Sequence, residues 1–195
     1  MAAIVVPFRG AGGKQRLGLL SGKARDALAL AMLADVLAAC RPVGETTVVT
    51  SDDLAGRLAE DHEAAVVTDP GSGQGPAVAA ALRTLDGRVL VVNADVPCVV
   101  PRDLHSLEAA TPEDGLAYVA ARDGTTNALG LSSPAHFAPL YGPGSADRFR
   151  MHAHTIGVDV VPAAIPNLAD DVDSVEDLER LELRIGPRTL AELSR

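Results

Sequence analysis

The sequence contains few aromatic residues and few cysteines. Aromatic residues make up 3% of its 195 residues, tryptophan is absent, and 47% of the residues are hydrophobic. That hydrophobic content is enough for a core, but the core must be built from Ala, Val and Leu rather than from aromatic rings. The two cysteines, Cys40 and Cys98, are too few for a disulfide framework or a zinc cluster. We interpret both as buried, small apolar residues of a cytoplasmic protein.

Long hydrophobic runs and an excess of positive charge are also missing. The apolar run at 2–8 has no basic segment before it and is far too short for a signal sequence or a membrane span. The formal net charge is −9 at pH 7. A chain with this charge does not gather nucleic acid or anionic membrane through its overall field, so we expect neither partner. Any phosphorylated ligand must be bound by local backbone donors and metal ions.

Short β-branched segments alternate along the chain with segments rich in Ala and Leu. Strands are predicted at 2–8, 46–51, 64–68, 88–94, 116–122, 128–132 and 158–164. Helices are predicted at 22–40, 53–61, 76–85, 101–110, 145–155 and 175–185. This alternation predicts a single α/β domain over residues 1–195, a Rossmann-like three-layer arrangement with a mostly parallel sheet between helices. In such folds ligands bind outside the carboxyl ends of the strands.

Asp95 directly follows one of these predicted strands, in the segment 88-RVLVVNADVP-97. The apolar run before it predicts a buried central strand, so Asp95 is expected at the edge of the sheet where ligands bind. The alternative is that Asp95 only caps a turn ahead of Pro97. The sequence around this residue does not decide between the two interpretations.

Two glycine-rich loops follow predicted strands. The first, 9-RGAGGKQRLG-18, fits neither a Walker A loop nor a dinucleotide fingerprint. Its glycines, Gly12 and Gly13, would let backbone N–H groups approach a phosphate chain, with Lys14 and Arg16 as cations behind them. The alternative is a flexible connection with exposed basic residues.

The second glycine-rich loop, 69-DPGSGQGPAVAAAL-82, lies between a predicted strand and a predicted helix. Gly73 and Gly75 would allow a flat ligand, such as a base or a ribose, to lie against the backbone. A tight connection between strand and helix would use the same glycines, so this signal is weak by itself.

Two carboxylates stand close together in the late segment 168-LADDVDSVEDL-178. Asp171 and Asp173 point the same way if the segment is extended, because side chains at i and i+2 share a face. Converging carboxylates repel each other by roughly 4 kcal/mol per pair at ~4 Å and an effective dielectric near 20. A divalent cation removes this repulsion, and Mg²⁺ is the one expected next to phosphates. Alternatively, Asp170 and Asp171 are solvated residues favoured by the dipole of the following helix.

Taken together, these features resemble the nucleotidyltransferases of the glycosyltransferase-A-like fold, which belong to the MobA-like superfamily. More narrowly, the sequence resembles the CofC family, the 2-phospho-L-lactate or phosphoenolpyruvate guanylyltransferases of coenzyme F-420 biosynthesis. The resemblance extends from the first strand to about Leu181. The segments that carry it are 14-KQRL-17, 32-MLADVLAA-39, 125-TTNAL-129, 141-YGPGS-145 and 171-DVDSVEDL-178.

The resemblance implies GTP as one substrate and Mg²⁺ as the metal. Asp95, Asp171 and Asp173 match the metal-binding carboxylates of the family. Lys14 and Arg16 match the basic pair near the nucleotide phosphates and would share the catalytic role with Asp95.

The second substrate implied by the resemblance is a small phosphorylated three-carbon acid. Thr126, Gly142 and Ser145 match the residues that bind this acid in the family. Their alternative interpretation is structural, with Thr126 chosen for a strand and Ser145 capping the next helix. The sequence departs from the family at Phe8 and Arg9, where many members carry a Lys.

Three further alternatives stay open at the level of the sequence. The chain could transfer a nucleotide to a molybdopterin or to a sugar phosphate, or it could be a non-catalytic nucleotide-binding regulator. A dinucleotide-dependent oxidoreductase is disfavoured because the glycine fingerprint is missing. The sequence does not reveal which acid is used, and a homodimer is an expectation only because the apolar helix at 22–40 could cover a second copy.

Overall fold

A computed structural model describes residues 2–10 and 22–194, in which helices flank a seven-stranded sheet. The strands are β1 (Ala3–Pro7), β2 (Thr46–Thr50), β3 (Ala65–Thr68), β4 (Val89–Val92), β5 (Gly115–Ala120), β6 (Thr126–Leu131) and β7 (Asp159–Pro162). The helices are α1 (Gly22–Cys40), α2 (Asp53–Asp61), α3 (Gln74–Leu82), α4 (Pro101–Ala110), α5 (Ser145–Ile156), α6 (Pro166–Ala169), α7 (Val175–Leu181) and α8 (Pro187–Leu193). Every predicted strand and helix is confirmed, with ends shifted by a few residues, whereas the short helices α6 and α8 were not predicted.

The sheet has the strand order β3-β2-β1-β4-β6-β5-β7. All neighbouring strands are parallel except β6, which runs antiparallel to both β4 and β5. The prediction of a mostly parallel sheet is therefore confirmed. From β1 the chain builds the sheet first toward β3 and then, starting with β4, in the other direction. The carboxyl ends of β1 and β4 consequently open a crevice between them, which is where such sheets bind ligands.

The sheet is covered by helices on both faces. Side chains alternate along β4, so that Leu90 and Val92 face one hydrophobic cluster while Val89 and Val91 face the other. The first cluster includes apolar residues of α1, α2, α4 and the helices after β7, and the second includes residues of α3 and α5. This arrangement confirms the three-layer α/β/α prediction.

The helix α1 is held against the C-terminal helix α8 by a buried carboxylate. Asp35 accepts hydrogen bonds from the backbone N–H of Arg188 (3.1 Å) and Thr189 (2.8 Å) and from the Thr189 hydroxyl (2.7 Å), which caps α8. A Cβ on Gly186 would collide with Asp35, so this approach requires glycine. Within the chain α1 contacts α2, α4 and α8. The homodimer stays a prediction.

Both cysteines lie in the first hydrophobic cluster, as predicted. Burial raises the pKa of Cys40 to about 12 and that of Cys98 to about 11, so both are thiols at neutral pH. In the described parts of the chain, no helix has the length and apolarity that crossing a membrane would require.

Candidate active site

The carboxyl end of β4 carries Asp95 to the edge of an open pocket. The pocket has a volume of about 480 Å³ and lies between the ends of β1 and β4, with α1 forming a further wall. Its polar lining consists of Arg9, Gln74, Asn93, Asp95 and Asp173. The prediction that Asp95 lies at the carboxyl end of a central strand is confirmed, and ligand binding there stays a prediction.

Asp171 and Asp173 join Asp95 at this edge. Each of the three half-buried side chains brings one carboxylate oxygen to a common point, and these oxygens all lie within 4.8 Å of one another. The backbone fixes the arrangement, since the N–H of Val172 donates to the carbonyl of Asp95 over 2.9 Å. Val172 itself is fully buried, so the alternation along 171–173 turns both aspartates to the same side.

The electrostatics of this cluster favour a cation. Burial and then the neighbouring charge of Asp95, with a smaller effect of Asp173, raise the pKa of Asp171 to about 6. A hydrogen bond from Asn127 Nδ2 to Asp171 Oδ1 (3.2 Å) acts in the opposite direction. Hard carboxylate oxygens that converge on one point are ligands that suit Mg²⁺, so the residues present fit this ion.

Asp170 is the residue next to this cluster, and its side chain is used differently. It is buried and receives ion pairs from Arg122 (3.1 Å), Arg180 (2.6 Å) and Arg184 (2.5 Å). Burial alone would raise the pKa of Asp170, but hydrogen bonds from Arg184 and Arg180 outweigh it and hold the pKa below its ordinary value. Asp170 is therefore a structural ion-pair residue rather than a residue capping α7. That helix is instead capped by Ser174 and Asp177, which form a capping box.

A chain of side-chain amides connects the pocket wall to the carboxylate cluster. Gln74 Nε2 donates to Asn93 Oδ1 (2.6 Å), and Asn93 Nδ2 lies 3.4 Å from Asn127 Oδ1. Asn127 in turn donates to Asp171. We did not predict a role for these three amides. Asn93 lies near the end of the predicted strand 88–94, and Asn127 directly precedes the predicted strand 128–132, so polar residues at strand ends were the available signal.

Gly73 and Gly75 of the second loop are each required for a different structural reason. Gly73 has a φ of +117° just before α3, a conformation that favours glycine. A Cβ on Gly75 would lie 2.6 Å from Pro139 Cβ, so close packing of α3 on the loop before α5 requires this glycine. Contact of Gly73 and Gly75 with a nucleotide stays a prediction.

The three residues predicted to bind the acid lie together at the start of α5. The hydroxyls of Ser145 and Thr126 are buried and hydrogen-bonded to each other, with Ser145 Oγ donating over 3.0 Å. Gly142 has a φ of +112°, and the guanidinium of Arg148 holds its loop by hydrogen bonds to the carbonyls of Leu140, Tyr141 and Pro143. Gly144 rather than Ser145 occupies the N-cap position of α5. Binding of the acid by Thr126, Gly142 and Ser145 stays a prediction.

Comparison with known proteins identifies the family. Residues 11–163 match the model of the MobA-like NTP transferase domain, which covers most of the chain. The chain belongs to this family.

Several sequence relatives of this MobA-like NTP transferase domain share the same name. The phosphoenolpyruvate guanylyltransferase of Conexibacter woesei is 38% identical over 192 residues, covering 93% of this chain and 86% of the relative. Proteins of the same name from Streptomyces scabiei (36% identity, 98% of this chain and 95% of the relative) and Mycolicibacterium smegmatis (31%, 96% and 88%) are also similar. The resemblance noted in the sequence is confirmed.

Solved structures support the fold of this MobA-like NTP transferase domain. A protein of Desulfovibrio desulfuricans G20 assigned as a nucleotide-diphospho-sugar transferase superposes with a TM-score of 0.77 at 18% identity, covering 100% of this chain and 95% of that one. A nucleotidyl transferase of Methanothermobacter thermautotroptrophicus superposes with a TM-score of 0.68 at 17% identity, covering 94% and 96%. At these identities the similarity concerns the fold alone, and it confirms the predicted fold class.

Four residues predicted to contact the nucleotide lie outside the described residues of this NTP transferase domain. They are Gly12, Gly13, Lys14 and Arg16. Their roles therefore stay predictions. Arg9, which does line the pocket, lies 3.4 Å from the buried carboxylate of Asp69, and Asp69 also accepts from the N–H of Gly71. This pair connects the end of β1 to the loop before α3.

A Ser–His–Asp contact also occurs in the domain, at the opposite edge of the sheet. Ser132 Oγ lies 3.1 Å from His136 Nδ1, and His136 Nε2 lies 3.3 Å from Asp114. Ser132 Oγ also accepts from the N–H of Gly115, the first residue of β5. These three side chains lie at the amino end of β5, whereas the Asp95 pocket lies at the carboxyl end of β4. We therefore interpret the Ser–His–Asp contact as a structural link between the ends of neighbouring strands.

Proposed function

We propose that this chain transfers GMP from GTP to the phosphate of phosphoenolpyruvate and releases pyrophosphate. The observation that carries the proposal is the convergence of Asp95, Asp171 and Asp173 at the pocket between β1 and β4. The relatives named phosphoenolpyruvate guanylyltransferase favour this acceptor. 2-Phospho-L-lactate is the second candidate, and the step would belong to coenzyme F-420 biosynthesis.

The acceptor phosphate needs no activation by a general base. The second pKa of a phosphate group is about 6, so an oxygen of the acid is already largely anionic at pH 7. This oxygen attacks the α-phosphorus of GTP, a new P–O bond forms, and the bond between the α-phosphorus and the bridging oxygen of pyrophosphate breaks. The protein must therefore position two polyanions and neutralise charge.

Asp95, Asp171 and Asp173 are the residues that would hold Mg²⁺. The ion would neutralise charge that develops on the transferred phosphoryl group and on the leaving pyrophosphate. Asp95 and Asp173 line the pocket directly, so their carboxylates face the place where the nucleotide phosphates would lie. With a net charge of −9, the chain depends on such local binding, because its overall field repels both substrates.

The nucleotide would enter between β1 and β4, where Arg9 and Gln74 stand on the pocket wall. Lys14 and Arg16 would supply further positive charge to its phosphates. Thr126, Gly142 and Ser145 would bind the acid, and the Ser145–Thr126 bond would then give way to bonds with the ligand. The buried hydroxyl pair keeps these two donors in place until the acid arrives.

The proposal is tested by pyrophosphate release from GTP in the presence of Mg²⁺. Phosphoenolpyruvate, 2-phospho-L-lactate and 3-phosphoglycerate are compared as acceptors, and we expect the highest rate with phosphoenolpyruvate. Asp95→Asn should lower the rate by about 100-fold or more, since transition-state charge loses its stabilisation. Asp159→Asn, an exposed carboxylate at the start of β7, is the control and should retain the rate of the wild type.

Two outcomes would contradict the proposal. GTP binding without pyrophosphate release for any acid would favour a regulatory role or a different acceptor. A rate that Asp95→Asn leaves unchanged would remove the carboxylate cluster from the chemistry.

A further inference from the structure

We propose that Asn127 is a positioning residue for Asp171, and that it acts as the last member of the amide chain Gln74–Asn93–Asn127. Each of these amides orients the next by a hydrogen bond. The hydrogen bonds therefore link the pocket wall to the carboxylate cluster. The inference rests on the metal site of the proposed function. It concerns residues that do not themselves contact the cation.

The direction of the hydrogen bonds follows from the chemistry of Asp171. An ionised carboxylate only accepts hydrogen bonds, so Asn127 must turn its NH₂ group toward Asp171 Oδ1, at 3.2 Å. The carbonyl oxygen of Asn127 then faces Asn93 Nδ2, at 3.4 Å. The carbonyl oxygen of Asn93 is left to accept from Gln74 Nε2, at 2.6 Å. Asn93 Nδ2 also donates to the backbone carbonyl of Thr126 over 3.3 Å, so this carbonyl and the Asp171 carboxylate favour the same orientation of the three amides.

The backbone holds these amides in register. The N–H of Asn93 donates to the carbonyl of Asn127 over 2.9 Å, which continues the antiparallel pairing of β4 and β6 beyond the last strand residue of β4. Asn127 is 1% exposed, and its position in β6 is one where an apolar residue would ordinarily be expected. A buried amide there must be matched by partners, and its partners are Asn93 and Asp171.

The bond from Asn127 opposes the natural response of Asp171 to its neighbours. Repulsion from Asp95 and Asp173 would rotate the Asp171 carboxylate away from the cluster, since like charges within 4.8 Å of one another repel. The bond to Oδ1 restrains that rotation. Removing the restraint should weaken cation binding even though every carboxylate is still present.

The chain offers a matched control for this idea. Asn167 Nδ2 also donates to a buried aspartate, Asp103, over 2.9 Å, but this pair lies outside the carboxylate cluster. Leucine has nearly the shape of asparagine and removes its hydrogen bonds. Asn167 also accepts from Arg184 over 3.1 Å, as Asn127 accepts from Asn93, so each substitution removes one donated and one accepted bond at a different place.

The test is the dissociation constant of Mn²⁺, measured on the protein without nucleotide by electron paramagnetic resonance of the free ion. We expect Asn127→Leu to raise this constant at least tenfold, since partners of metal ligands typically change affinity by about 10–100-fold. Asn167→Leu should stay within about twofold of the wild type, although both variants lose thermal stability. Asn93→Leu should raise the constant by a smaller factor, because Asn127 keeps its place but loses its orienting partner.

A folded Asn127→Leu variant with the Mn²⁺ affinity of the wild type would overturn the inference and leave the proposed function intact. If circular dichroism shows that Asn127→Leu does not fold, Asn93→Leu is used instead. A folded Asn93→Leu variant with the Mn²⁺ affinity of the wild type would then overturn the inference. A wild-type protein that binds no Mn²⁺ would overturn both this inference and the metal site on which it rests.

Discussion

Asp170 and Asp171 are neighbours in the sequence, yet the structure treats their charges in opposite ways. Asp170 is surrounded by the guanidinium groups of Arg122, Arg180 and Arg184. Asp171 faces two other carboxylates and a single amide donor among its described side-chain partners. The pKa is lowered in the first case and raised to about 6 in the second.

The difference separates a structural carboxylate from one that we propose to bind a cation. Burial penalises both charges, and at Asp170 the protein compensates the penalty with its own cations. At Asp171 the neighbouring carboxylates add repulsion instead, and the cation that we propose would relieve it. The three predictions that follow test this contrast, in order of decreasing effect.

The largest expected effect is on activity. Asp171→Asn should lower the rate of pyrophosphate release by about 100-fold or more, because one charge that would hold the cation is lost. Asp170→Asn should keep the rate within about tenfold of the wild type at temperatures where it is folded. Equal losses in steady-state assays of the two variants would show that the two carboxylates are not functionally distinct.

The second effect is on stability. Asp170→Asn leaves three arginines without their shared anion and should lower the free energy of unfolding by about 2–3 kcal/mol. Losing a buried partner costs about 3–5 kcal/mol, and the partial exposure of Arg122 and Arg184 reduces this cost. Urea unfolding in EDTA measures the change in the free energy of unfolding, with Asp159→Asn as the control. A variant as stable as the wild type would mean that the arginine cluster contributes little.

The third and smallest effect is a pH dependence with opposite sign at the two positions. Because the pKa of Asp171 is higher in the folded protein than its ordinary value, the protein loses stability as the pH rises from about 4 to about 6, and the full loss persists above that range. In EDTA at pH 7.5, Asp171→Asn should therefore be more stable than the wild type, by about 1–2 kcal/mol. This advantage should vanish toward pH 4.

For Asp170 the lowered pKa means that its contribution is present above the ordinary pKa of a carboxyl group and fades only in stronger acid. The destabilisation by Asp170→Asn should therefore persist from pH 7.5 down to about pH 4. Parallel pH profiles for the two variants would contradict the assignment of opposite pKa shifts.

Much of the fold and of the carboxylate cluster was predictable because the signals were local. Apolar runs and Ala/Leu-rich segments predicted all seven strands and six of the eight helices in the described residues. The spacing of Asp171 and Asp173 predicted that their side chains share a face. The topology then brought Asp95 to them, as expected of a carboxylate at the end of a central strand.

What could not be predicted depends on partners that are distant in the sequence. The arginines around Asp170 come from β5's end and from α7 and its C-terminal extension, so no local pattern distinguishes Asp170 from Asp171. Asn127 lies in the segment 125-TTNAL-129, which carries part of the family resemblance, but its side-chain partners lie 34 and 44 residues away in the sequence. The helix α8 was missed because it is short and its capping residue, Asp35, is in α1.

The most direct measurement is anomalous X-ray diffraction from crystals of the protein grown with Mn²⁺. The account predicts a peak within coordination distance of one oxygen each of Asp95, Asp171 and Asp173, and no peak at Asp170. A peak elsewhere on the chain, or no peak at saturating Mn²⁺, would contradict the claim that these three carboxylates form the metal site.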